Sequence, residues 1–118
     1  MSKEIGYAVE RQARDYLTAR GLNWITSNYS CRCGEIDLVM KDSQYLVFVE
    51  VRARVSPVYG GALASITQGK IKKIIKTAKH YLTVNKLHDK YPVRFDVISV
   101  QGHSADIEWI KNAFGIDY

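Results

Sequence analysis

Residues Gly34 to Arg54 read GEIDLVMKDSQYLVFVEVRAR, and they limit this chain more than any other stretch. Two apolar runs flank a short polar turn, which predicts a β-hairpin. Each run carries an acid among hydrophobic residues: Asp37 between Ile36 and Leu38, and Glu50 between Val49 and Val51. Strand interiors disfavour acids, and a buried carboxylate is costly unless it is paired or holds a cation. With Lys41-Asp42-Ser43-Gln44 as the turn, Met40 faces Tyr45 and Asp37 lies opposite Phe48, with Glu50 diagonal to it. Side chains alternate with period two, so this register puts Asp37, Glu50 and Arg52 on one face, with Glu35 beside them. A three-residue loop would send the two acids to opposite faces.

A chain of 118 residues, 47% hydrophobic and 25% charged, fits one soluble globular domain spanning 1–118. No apolar run approaches the ~20 residues of a membrane-spanning helix. The opening MSKEIGYAVERQ has no apolar segment of the signal-peptide kind, so a cytoplasmic setting is expected. Cys31 and Cys33 lack the neighbouring histidines of a zinc site and are too close for an unstrained disulfide. They are expected to be reduced loop cysteines.

The net charge is +5, but its distribution says more. No acid occurs from Val51 to His88, whereas Arg52, Arg54, Lys70, Lys72, Lys73, Lys76, Lys79 and Lys86 all fall there. A one-sign block of this kind suits a polyanion such as DNA or RNA, although a solvated lysine-rich helix face would look the same. Acidic lipid is a weaker match, because the apolar face of the same segment is explained by core packing.

Helical spacing of Ile5, Val9, Ala13, Tyr16 and Leu17 predicts a first helix over Ile5–Arg20, stopped by Gly21. A strand over Leu22–Tyr29 and a loop over Ser30–Gly34 lead into the hairpin. Ser56–Ala62, with its Ser-Pro and Gly-Gly pairs, reads as a loop and brings Tyr59 near the acids. Ser65-Ile66-Thr67-Gln68 has a capping-box pattern and opens a second helix with Ile71, Ile74, Ile75, Ala78, Tyr81 and Leu82 as its core face. A strong strand follows over Val93–Val100, with Val93, Phe95 and Val97 on one face. Then come a turn over Gln101–Ser104, a short strand over Asp106–Ile110 and a final helical turn over Lys111–Phe114. The order is α-β-β-β-α-β-β. A right-handed crossover through the second helix would set Val93–Val100 parallel to Tyr45–Arg54.

Two carboxylates on one sheet face make a hard-oxygen site, suited to Mg2+ or Mn2+ together with a substrate phosphate. Such an ion activates water and polarises a phosphoryl oxygen. Glu10 on the first helix would assist, and Arg52 would stabilise developing negative charge while staying protonated. Simpler readings stand beside these. Glu50 and Arg52 would also make a surface salt bridge, Asp37 a surface acid and Glu10 an ordinary helix acid. Asp96 interrupts its strand, and pairing with a lysine and metal binding are both open to it. His80, His88 and His103 form no triad, and neither a P-loop nor a dinucleotide-binding motif is present.

Asp37, the run Glu50-Val51-Arg52 and Glu10 resemble the pattern of the PD-(D/E)XK nuclease superfamily. GEIDLVM, LVFVEVRAR, YGGA, SITQGKIKKI and RFDVISV, in that order, resemble more closely the YraN family of small bacterial proteins. That family is described as predicted endonucleases distantly similar to archaeal Holliday junction resolvases. The resemblance covers about Gly6 to Phe114. It implies an α/β fold with a restriction-endonuclease-like αβββαβ core, a mixed central sheet flanked by helices. It also implies hydrolysis of DNA phosphodiester bonds, with branched or recombining DNA as a candidate substrate. Asp37, Glu50 and Glu10 would serve the metal, and Glu10, Asp37, Glu50 and Arg52 the catalysis. Arg54, Tyr59, Lys70, Lys73 and Lys76 would contact the nucleic acid, and a homodimer would suit a two-stranded substrate. Arg52 stands where the superfamily usually has lysine. The alternative to an enzyme is a catalytically silent nucleic-acid-binding module on the same fold.

Overall fold

A computed structural model describes residues 3–54, 61–101 and 106–115, with side chains for 6–53, 62–101 and 106–115. The chain runs α1 (Lys3–Ala19), β1 (Asn23–Cys31), β2 (Gly34–Asp42), β3 (Tyr45–Arg54), α2 (Gly61–Ala64), α3 (Gln68–Val84), β4 (Val93–Gln101) and β5 (Ile107–Phe114). It is a mixed α/β fold, with one five-stranded sheet in the order β1-β2-β3-β4-β5 flanked by helices. Neighbouring strands are antiparallel except β3 and β4, which run parallel as the crossover through α3 requires.

Each helix end has a local cause. Gly21 takes φ +99° and closes α1, with its N–H donating to the Thr18 carbonyl and that of Leu22 to the Leu17 carbonyl. The cap of α3 is Thr67, not Ser65 as the capping-box pattern implied. The Thr67 hydroxyl accepts the Lys70 N–H at 3.1 Å. Ser65 is diverted, because its hydroxyl donates to the Ala62 carbonyl at 2.6 Å and closes α2 instead. Ile66 and Ile71, both buried in the same cluster, pin the entry to α3.

Two cores sandwich the sheet. On one face α3 buries the expected Ile71, Ile74, Ile75, Ala78, Tyr81 and Leu82 against Phe48, Phe95 and Val97. On the other, Ala13 and Leu17 of α1 meet Leu38, Met40, Val47, Val49, Ile98 and Val100. Fully burying one such side chain is worth about 1.5–3 kcal/mol, so each face is a substantial source of stability.

Several expected boundaries move. Strand pairing of Ser30 with Glu35 and Cys31 with Gly34 carries β1 and β2 almost to the turn where a longer loop was expected. Gly61–Ala64 is helical, where the loop was expected to persist to Ala62. Lys111–Phe114 continues β5 as a strand, not a helical turn, because Phe114 pairs with Phe95 and stacks on it. The remainder of the expected loop, including Tyr59, and most of the turn after Gln101 lie outside the described residues. Among the described residues no helix is long and apolar enough to cross a membrane.

Candidate active site at the splayed strands

The hairpin register differs from the expected one in a way that preserves its consequence. Asp42 pairs with Tyr45 and Leu38 with Val49, so only Ser43 and Gln44 form the turn. Ser43 takes φ +55°, a left-handed conformation of the kind tight hairpins use. Shortening the turn from four residues to two leaves side-chain parity unchanged. One step beyond the last pair, Asp37 comes opposite Glu50 instead of diagonal to it.

At that step the ladder stops. Ile36 packs in the α3-side core with Val39, whereas Leu38 and Met40 pack on the α1 side. Alternation therefore breaks at Asp37. Across on β1, Asn28 sits at φ +55° between Ser27, which pairs with Leu38, and Tyr29, which pairs with Ile36. The Val51 N–H donates to Asp37 Oδ2 at 2.7 Å. The carboxylate thus fills the gap where β2 parts from β3 and satisfies the backbone donor there.

Glu50 faces α3 and is only 4% exposed. Arg52 Nη1 lies 3.6 Å and Lys70 Nζ 3.8 Å from its Oε2. These are ion pairs too long to be close hydrogen bonds. Burial, then the charge of Asp37 and a hydrogen bond to it, push the Glu50 carboxyl up from 4.5 to about 8, against the opposing pull of Lys70 and Arg52. A buried acid beside a half-buried one in this state takes up either a proton or a cation to offset the repulsion.

Glu10 approaches from α1. Its carboxyl is raised, chiefly by partial burial, with Asp37 and Glu35 adding to the shift and a hydrogen bond from Asn28 opposing it. Glu35 thus acts on Glu10, where the unbroken alternation had set it beside Glu50. Among the described residues no three His, Cys, Asp or Glu side chains close into a metal cage. The donor set is a pair of acids with Glu10 standing outside it. Arg52 also donates from Nη2 to the Ser65 carbonyl at 3.1 Å, which ties β3 to the α2–α3 junction.

The structure brings Glu10, Asp37, Glu50 and Arg52 to one end of the sheet and adds Lys70, expected only as a backbone anchor. Lys73 lies along the β1–β2 turn, where its Cβ is 3.5 Å from the position of a Cβ built on Gly34. Lys76 acts electrostatically on Cys33 in the same turn. Both lysines are exposed, and both cysteines are free. Arg54 ends β3, and its side chain and Tyr59 lie outside the described residues. Asp96 is drawn elsewhere: Arg94 Nε and Nη2, each at 2.9 Å, hold it. Its partner is therefore an arginine two residues away on the same strand, where a lysine or a metal had been considered. Asn28 and the reach of Lys70 escaped the sequence reading; an asparagine inside a strand run was the one available sign of the break.

Fold and site together define a small α/β domain with two neighbouring acids, Glu50 buried and Asp37 half-buried, where two strands diverge. The chain belongs to Uncharacterised protein family UPF0102, whose sequence pattern matches residues 9–100. It is 52% identical to UPF0102 protein lpg2994 of Legionella pneumophila subsp. pneumophila (strain Philadelphia 1) over 97% of each chain. It is 46% identical to a UPF0102 protein of Nitrosomonas eutropha over 96% of this chain and 95% of the other. Against UPF0102 protein Ent638_3585 of Enterobacter sp. (strain 638) the identity is 48%, over 98% of this chain and 87% of that one.

Proposed function

We propose that this protein is a divalent-metal-dependent endonuclease that hydrolyses DNA phosphodiester bonds on a PD-(D/E)XK, restriction-endonuclease-like core. The observation that carries the proposal is the Asp37–Glu50 pair, a half-buried acid beside a buried one, set where β2 leaves β3 and bracketed by the two cations Arg52 and Lys70. A purely structural pair of this kind destabilises the fold, since each acid raises the cost of ionising the other. A binding role accounts for its presence.

The pair fits Mg2+ or Mn2+, which take one or two carboxylates and fill their remaining positions with water and substrate oxygen. Asp37 and Glu50 would hold the ion, which when bound would acidify a water and polarise the phosphoryl group. Glu10, with its raised affinity for a proton, would orient the attacking water from the α1 side. Arg52 and Lys70 divide the work given to one lysine in the superfamily pattern. Arg52 is anchored by the Ser65 carbonyl and steadies Glu50. Lys70 supplies the compact ammonium charge for the scissile phosphate. Lys73, Lys76 and Arg54, with Tyr59, would grip the flanking backbone, giving salt-dependent affinity and little sequence choice.

The test is a cleavage assay on linear, flapped and four-way DNA with Mg2+, Mn2+ or a chelator. Asp37→Ala and Glu50→Ala are expected to lower the rate by roughly 10²-fold or more, the scale set by removal of a key electrostatic group. Cleavage that survives both substitutions would refute the assignment. Salt-sensitive binding with no cleavage by the wild type would leave a nucleic-acid-binding module in its place.

A further inference from the structure

Next to the acid pair, on the α1 side of the sheet, lies a groove with a different character. Tyr7 lies three and four residues before Glu10 and Arg11, and these lie four and three before Arg14, so the four form one stripe on α1. With Trp24, Ser27 and Asn28 they line a groove of about 270 Å3. Glu10 is common to the groove and the site, so the two are continuous.

Two aromatic rings are displayed there without a packing reason. Tyr7 and Trp24 are each 49% exposed, and neither belongs to the two cores. Trp24 is nonetheless held in place. Its Nε1–H donates to Ser27 Oγ at 2.9 Å, and the Arg14 guanidinium carbon lies 5.1 Å from its ring centroid. Such a ring loses little freedom when a ligand stacks on it. Arg11 has no ion pair among the described residues, and Arg14 only a loose one to Asp15 at 3.9 Å. Exposed aromatics interleaved with guanidinium groups are the chemistry of single-strand recognition, in which bases stack and phosphates meet cations. A duplex cannot use it, because its base faces are already stacked.

We propose that this groove binds an unpaired stretch of nucleic acid, its bases stacked on Trp24 and Tyr7 and its phosphates on Arg11 and Arg14. The inference rests on the nucleic-acid part of the function proposed above. It narrows the substrate class to strands with unpaired nucleotides beside the scissile bond, such as tails, flaps or opened branches.

The test is equilibrium binding of the full chain, in chelator, to labelled oligothymidylate and to a blunt duplex of equal length. Intrinsic tryptophan emission is recorded alongside. Oligothymidylate is expected to quench Trp24, and Trp24→Phe should abolish that quenching, which separates it from the signal of Trp109. Trp24→Ala should weaken oligothymidylate binding by about five-fold or more, the lower end of measured base–aromatic stacking. The same variant should change duplex binding by less than about two-fold, because duplex contacts are made by phosphate-binding cations. Unchanged oligothymidylate affinity in Trp24→Ala, or equal loss on both ligands, would overturn the proposal. Cleavage plays no part in this readout. An inactive protein that still stacks oligothymidylate on Trp24 keeps the groove and refutes the nuclease. An active one indifferent to Trp24→Ala does the reverse.

Discussion

Asp96 on β4 and Glu50 on β3 are carboxylates on adjacent parallel strands, and both are shut away from water. Asp96 accepts from Arg94 Nε and Nη2, from Trp109 Nε1 at 3.0 Å and from the Asn112 backbone N–H at 3.0 Å. Arg94 in turn reaches Asp42 at 2.9 Å. That network satisfies its acid within the fold. Glu50 has two cations at longer range, Asp37 beside it and a carboxyl raised to about 8. Equal burial therefore coexists with opposite degrees of satisfaction. On the function proposed above, the incompletely satisfied acid is where an ion would bind.

The sharpest way to break this contrast is to remove Asp96. Asp96→Ala leaves Arg94 with Asp42 as its remaining carboxylate and deprives the Trp109 and Asn112 donors of their acceptor, and it is expected to cost about 3–5 kcal/mol in urea unfolding. A loss below about 1 kcal/mol would mean that the network contributes far less than its geometry implies.

Glu50 should show the opposite sign. Its folded-state carboxyl is raised from 4.5 to about 8, so the metal-free fold keeps the proton after the unfolded chain has released it. Stability is full below about pH 4.5 and is lost as pH rises through about 8. At pH 7 the loss is on the order of 3 kcal/mol. Glu50→Gln should remove this dependence and leave the variant more stable than the wild type at neutral pH, as read by thermal unfolding from pH 5 to 8. A parallel pH profile in the two proteins would dissolve the distinction between the acids. Mg2+ or Mn2+ should raise the melting temperature of the wild type at pH 8 and leave Glu50→Gln unmoved.

A smaller effect separates the two cations. Arg52→Lys keeps the charge beside Glu50 but loses the bond to the Ser65 carbonyl, for about 1 kcal/mol of stability. Lys70→Ala removes a half-exposed ammonium and should leave thermal stability within about 0.5 kcal/mol. If the proposed division of labour holds, Lys70→Ala nonetheless costs more cleavage than Arg52→Lys.

The α3 core face could be read residue by residue from helical spacing, since packing against a sheet leaves one stripe to bury. The shared face of Glu50 and Arg52 could also be read, because residues two apart on one strand point the same way whatever the turn. The network around Asp96 was half visible: Arg94 lies two residues away on the same strand, but Trp109 and Asn112 arrive only through the β4–β5 pairing. The reach of Lys70 to Glu50 depends on how the crossover lands α3 on the sheet, which no local pattern encodes. The break at Asp37 was hidden for a similar reason. It requires β1 and β2 to bend together, and Asn28 alone gave a hint.

One bond across that break has a practical consequence. The Val51 amide proton has a side-chain oxygen for its acceptor, at the point where β2 parts from β3. Any ligand that competes for Asp37 Oδ2 must slacken that contact. The Val51 resonance is therefore an intrinsic gauge of occupancy, able to register an arriving ion or phosphate without label, probe or turnover.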